Sequence, residues 1–244
     1  MNYKYKCIVG ATPLRREPTD ASEMVSQLLY GESVYLLKDL DDNWIMGKCV
    51  HDGYIGCIEK RNVERLEDES EELEPYFGQI VEIFTKYGKI KIGTGSLLTK
   101  NEKKILQNEY FSKIITSKVE AIELVKDNFL GIPYLWGGRG AWGVDCSGLI
   151  QFYASLLGYS LPRDAFEQEL FLTNDVKYED IEIGDICYFF NKSQKITHTG
   201  IIIDINMLLH ACGTVRIDGW DKDGIFSIIL NKYEKNFGFS IKRL

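Results

Sequence analysis

The stretch that most constrains this chain is Tyr134-Leu135-Trp136-Gly137-Gly138-Arg139-Gly140-Ala141-Trp142-Gly143-Val144-Asp145-Cys146-Ser147-Gly148, a glycine-rich loop that runs straight into a helix. Leu149, Phe152, Tyr153, Leu156 and Leu157 recur at helical spacing and predict one apolar face. Gly158 supplies a C′ stop. Asp145 is a natural N-cap, which puts Cys146 in the first turn. There the unpaired N–H groups and the positive end of the helix dipole favour a thiolate. A lone cysteine at a helix start is still more often a small buried hydrophobe.

Two histidines change that balance. His198 precedes the apolar run Ile201-Ile202-Ile203, and His210 closes Met207-Leu208-Leu209-His210, with Asp204-Ile205-Asn206 as a turn between them. In such a hairpin positions 198 and 210 share a face. Cys146, His198 and His210 then supply a nucleophile, a base that holds it as the thiolate member of an ion pair, and a group to orient the base. Zinc on Cys146, His198, His210 and Cys212 is disfavoured. A His-x-Cys pair on one strand leaves little room for tetrahedral closure, and the other spacings do not fit a metal site. No metal or cofactor is expected.

The blocks Tyr134-Leu135-Trp136-Gly137-Gly138, Asp145-Cys146-Ser147-Gly148-Leu149, His198-Thr199-Gly200 and Leu209-His210-Ala211 resemble the NlpC/P60 cysteine peptidases. These are papain-like hydrolases of bacterial cell-wall peptides, and the likeness runs over roughly residues 118–244. It implies an α+β domain in which the nucleophile helix packs on an antiparallel sheet. It also implies that the Tyr134 hydroxyl joins the Cys146 N–H as an oxyanion donor.

Upstream, Val34–Leu37, Trp44–Met46 and Gly53–Ile58 read as short strands broken by the turns Asp41-Asp42-Asn43 and His51-Asp52-Gly53. The pattern from Pro13-Leu14-Arg15 to Gly53-Tyr54-Ile55-Gly56 resembles a bacterial SH3 barrel, placed at 1–65. Residues 66–117 read as an acidic linker, Leu66 to Pro75, followed by two or three strands over 76–98 that extend or cap the barrel. Val119–Phe129 has helical spacing. Glu182–Asp185 turns into a strand from Ile186 to Phe190, and more strands follow to the end.

The resemblance to SH3-bearing members also suggests a substrate. In these the free amine of L-Ala-γ-D-Glu-diamino-acid peptides is held by an aspartate that Asp164 matches, in Pro162-Arg163-Asp164-Ala165. Glu23 and Tyr54 of the barrel are the expected further contributors, with Asp145 and Ser147 beside the nucleophile. Ala165 stands where relatives carry a hydroxyl toward the substrate carboxylate. The expected activity is hydrolysis of the γ-D-glutamyl–diamino-acid bond. An amidase or acyltransferase on the same scaffold, or a catalytically silent wall-peptide binder, is the alternative.

A net charge of −7 argues against nucleic acid or an anionic membrane as partner. Six scattered cysteines without CxxC spacing fit reduced thiols, and no apolar leader follows Met1. The expectation is a cytoplasmic protein, unless a signal peptide precedes the sequence given.

Overall fold

A computed structural model describes residues 3–67, 72–106, 115–234 and 238–244. It divides into two compact units, one of Met1–Lys113 with Leu135–Gly143, the other of Ile114–Tyr134 with Val144–Leu244. Among the described residues no helix is long and apolar enough to cross a membrane.

The first unit is built on a seven-stranded antiparallel sheet. Its order is Met24–Leu29, Ala11–Arg15, Ile55–Glu59, Trp44–Cys49, Ser33–Asp39, Lys4–Cys7, Val63–Arg65. Alternation sends Cys7, Leu14, Leu28, Val34, Ile45, Cys49 and Ile58 into one core, as an SH3-like region requires. The strands expected over 76–98 are present as the hairpin Val81–Thr85/Gly88–Ile92 and the strand Leu97–Thr99. The acidic run is not all linker. Leu73–Pro75 pairs with Leu97–Thr99, because Leu97 and Leu98 give that edge an apolar partner; positions 68–71 of the run lie outside the described residues. Tyr30, Tyr76, Ile83, Ile92 and Leu98 close a second small core here.

The helix Lys100–Leu106 was not expected. Its start carries a legible signal: Thr99 Oγ1 accepts from the Glu102 N–H, and Glu102 Oε2 accepts from the Thr99 N–H, a reciprocal capping box. A second difference concerns the glycine-rich loop, which belongs with the first unit rather than with the segment it leads into. Arg139 holds it there. The buried guanidinium donates to both Glu32 oxygens (2.7 and 3.1 Å) and to the Gln27 carbonyl at 2.9 Å. Burial would raise the Glu32 carboxyl, but Arg139 and His51 outweigh it and hold it ionised.

The second unit has a seven-stranded antiparallel sheet. Its order is Lys232–Tyr233, Gly224–Ser227, Thr214–Asp221, Met207–Cys212, Ile196–Asp204, Ile186–Phe190, Phe239–Lys242. The helix Lys118–Phe129 buries Ala121, Ile122, Val125 and Phe129, the positions its periodicity marked, behind a Ser117 cap. Phe129 meets Phe152 of the helix Cys146–Leu156 edge to face, with ring centroids 4.8 Å apart. That second helix is buried on nearly every side, not on one face: Cys146 to Ala154 are all inside. Its polar members are matched, as where Gln151 Nε2 donates to the Leu161 carbonyl at 3.1 Å. The helix ends at Leu156, and Gly158 takes φ +83° to turn the chain. A further helix, Ala165–Phe171, was not read from the sequence. It is pinned by Gln168, whose Nε2 donates to the Ser147 and Pro162 carbonyls.

Candidate active site

Asp145 caps the nucleophile helix, its Oδ1 accepting from the Gly148 N–H at 2.7 Å. The same carboxylate receives the buried Arg163 guanidinium at 3.1 and 2.5 Å, and Arg163 Nη1 also donates to Ser147 Oγ at 2.7 Å. Arg163 and Ser147 were not linked from the sequence, sixteen residues apart. Asp145 and Ser147, expected near substrate, are thus both engaged by one buried arginine. The cluster fixes the helix start and with it the Cys146 thiol, 8% exposed, which lies against the backbone of Thr199.

Strands 196–204 and 207–212 pair with Gly200 opposite His210, so His198 sits diagonal to His210 on one face, as the hairpin predicted. His198 Nε2 and His210 Nδ1 are 2.7 Å apart. Gly200 makes room for the pair: a Cβ there would come within 3.0 Å of the His210 Cβ and 2.8 Å of Leu208 Cγ. Beyond His210 the line continues. His210 Nε2 is 3.1 Å from Asp218 Oδ2, which also accepts from Arg216 Nε at 2.7 Å, while Oδ1 accepts from the Ile228 N–H at 2.9 Å. Asp218 and Arg216 escaped the sequence because they belong to the next strand. Its register sets Arg216 opposite His210, and a same-parity acid two residues on was the available signal.

Burial favours the neutral forms of both groups at rest, counter to the thiolate–imidazolium pair that the helix start favours. Burial and then the Asp145 charge push the Cys146 thiol up to about 12, against the Thr199 backbone and Arg163. Burial, then His210 and Arg216, push His198 down to about 3. The helix-start effect is the smaller one once the thiol leaves water. Tyr134 is half-buried beside this group, its N–H bonded to the Gly213 carbonyl at 2.9 Å. Burial and the neighbouring Cys146 and Asp145 raise its hydroxyl, which stays a proton donor.

A pH dependence of stability follows. His198 titrates far lower folded than unfolded, so its contribution is complete above about pH 6.5 and drains as pH falls toward 3. Urea unfolding between pH 7.5 and 5 should lose stability at up to about 1.4 kcal/mol per pH unit below pH 6.5. His198→Gln should flatten that slope; an unchanged slope would show that the histidine is already hydrated.

The remaining expected residues are divided between the two units. Asp164 is half-buried at the start of Ala165–Phe171 and makes no side-chain cap bond to that helix. Glu23 and Tyr54 lie in the first unit. Glu23 already spends its oxygens on Arg16 (2.8 Å) and the Trp136 indole N–H (2.8 Å). Tyr54 packs on the SH3-like core. For metals, Cys49, His51 and Asp52 of the first unit bring donor atoms within 4.8 Å of one another; among the described residues Cys146, His198, His210 and Cys212 form no such group. His51 Nε2 is 3.1 Å from Asp52 Oδ2 and its Nδ1 3.6 Å from Glu32 Oε1.

The second unit thus sets a cysteine at a helix start and a hydrogen-bonded histidine pair on two adjacent strands of an α+β scaffold. Residues 131–230 match the NlpC/P60 family, and residues 14–62 match the bacterial dipeptidyl-peptidase Sh3 domain. The chain therefore carries an NlpC/P60 domain and, ahead of it in the sequence, a bacterial SH3 domain. It is 39% identical over 85 residues to the gamma-D-glutamyl-L-lysine dipeptidyl-peptidase of Bacillus subtilis, covering 34% of this chain and 28% of that protein. It is 26% identical over 232 residues to the gamma-DL-glutamyl hydrolase of the same organism, covering 89% of this chain and 53% of the relative. It thus spans about half or less of the length of these relatives. An NlpC/P60 family protein from Bacillus cereus shares the fold, with a TM-score of 0.77 at 16% identity over 98% of this chain and 99% of that one.

Proposed function

We propose that this chain is a cysteine endopeptidase that cuts the γ-D-glutamyl–L-diamino-acid bond of peptidoglycan-derived peptides with a free N-terminal L-Ala. The observation that carries it is that His198, on the strand against which the Cys146 thiol lies, is hydrogen-bonded to His210 on the next strand. The names of the two relatives, both γ-glutamyl hydrolases or peptidases, point to the bond.

In the first step the Cys146 sulfur attacks the γ-carbonyl carbon while its proton passes to His198. Burial, which favours the neutral forms of both groups at rest, favours transfer along with the attack. The carbonyl oxygen becomes an oxyanion, held by the Cys146 N–H and the Tyr134 hydroxyl, whose raised pKa keeps it a donor. Collapse expels the diamino acid, whose amine takes the proton from His198, and leaves a thioester. Water, deprotonated by His198, then releases L-Ala-γ-D-Glu. Asp164 holds the substrate's ammonium.

The test is product analysis by mass spectrometry on L-Ala-γ-D-Glu peptides carrying L-lysine or diaminopimelate third. The expected product is L-Ala-γ-D-Glu. Cleavage at another bond, or transfer to an added amine in place of hydrolysis, would overturn the assignment.

A further inference from the structure

Asp218 is buried and fully committed. Its Oδ1 takes the Ile228 N–H, and its Oδ2 faces both Arg216 Nε–H and His210 Nε2. The Arg216 guanidinium is steadied in turn by Ser227 Oγ, 3.4 Å from Nη2. A carboxylate held in this way cannot rotate, and as an ion it can only accept. We propose that Asp218 is a positioning residue that sets the tautomers of both histidines and thereby decides which nitrogen of His198 is the base.

The logic runs outward from the carboxylate. Were His210 protonated at Nδ1, its Nε2 lone pair would face an anionic oxygen at 3.1 Å, an arrangement with no hydrogen bond and net repulsion. His210 is therefore the Nε2–H form and, being neutral, carries a lone pair on Nδ1. That lone pair lies 2.7 Å from His198 Nε2, which must then bear the hydrogen. Neutral His198 is left with its lone pair on Nδ1, the nitrogen free to take a proton from a thiol. One fixed anion thus propagates a single choice through two rings. The same choice made by water at the position of Asp218 would not hold, since water donates as readily as it accepts. Arg216 and the Ile228 N–H add the second condition: they keep the carboxyl ionised, where burial alone would favour the neutral acid.

This role rests on the proposed peptidase activity for its kinetic consequence, but not for its structural one, and the experiment separates the two. Histidine-selective 15N labelling of the full chain at pH 7, with long-range 1H–15N correlation, reports the protonation of each ring nitrogen. In the wild type His210 and His198 are expected as Nε2–H forms with bare Nδ1. In Asp218→Asn, whose amide can donate as well as accept, the Nδ1–H form of both rings is expected to appear. On a cleavable peptide kcat should fall by roughly 10- to 1,000-fold, with KM changed by less than about threefold, as for a group that orients a base in a triad. Arg216→Gln, which leaves the carboxylate and its amide bond in place, should lose less. An Nδ1–H His210 in the wild type, or unchanged tautomers and unchanged kcat in Asp218→Asn, would overturn the proposal. Should that variant not fold, the wild-type spectrum still decides. If no peptide is cut at all, the spectrum stands alone, and it is the activity, not the tautomer assignment, that fails.

Discussion

Cys146→Ala should abolish peptide hydrolysis, a loss of at least about four orders of magnitude in kcat, because it removes the sulfur that forms the acyl intermediate. The fold should stand. The substitution removes one small sulfur from a buried position and costs about 1 kcal/mol, while the Asp145 cap and its Arg163 clamp are untouched. Near-identical unfolding curves for the two proteins, beside the lost turnover, would separate chemistry from collapse. Alkylation gives a second reading. With the thiol pushed up to about 12, Cys146 should react slowly with iodoacetamide at neutral pH and faster as pH rises, in contrast to a thiolate already present at pH 7. Full turnover by Cys146→Ala would move the nucleophile elsewhere. Rapid, pH-independent alkylation at neutral pH would restore the ion pair.

What the sequence disclosed, and what it withheld, divides along physical lines. Local signals were readable. The 121, 122, 125, 129 spacing marks a helix face whichever partner covers it, and Asp145 ahead of an apolar run marks a cap. The 198–210 hairpin is nearly local too, since parity alone puts both histidines on one face. Long-range information was not readable. Nothing near Arg163 says that it will bury itself on Asp145 and Ser147, eighteen and sixteen residues back. The grouping of residues 135–143 with the first unit depends on Arg139 meeting Glu32, more than a hundred positions away. The nucleophile helix looked one-sided because its apolar spacing leaves out Ser147, Gly148, Gln151 and Ala154. They are buried because distant carbonyls and small contacts meet them there. The ionisation of the site is the same kind of quantity. A helix start argues for a thiolate, but burial, which only the folded chain sets, acts in the opposite sense and is larger.

Peptides beginning with free L-Ala should be cut far faster than the same peptides acetylated at that amine, and Asp164 should be the reason. Acetylation removes the ammonium and leaves its carboxylate without a charged partner. A broken desolvated pair costs about 3–5 kcal/mol, or about two to four orders of magnitude in kcat/KM. Asp164→Asn should cost a similar amount on the free peptide. The Asp164 side chain makes no cap bond to the helix Ala165–Phe171, which is anchored instead by Gln168 on the Ser147 and Pro162 carbonyls. The neighbouring Arg163, turned inward to Asp145 and Ser147, should keep its place. The decisive measurement is the cycle of both changes. If the carboxylate and the amine meet, acetylation should matter little once Asp164 is Asn, and the two losses should fall well short of adding. Losses that add in full would mean that the amine is read by another residue. Equal rates on free and acetylated peptides would mean that it is not read at all, and that this chain, whatever bond it cuts, does not measure its substrates from the N-terminus.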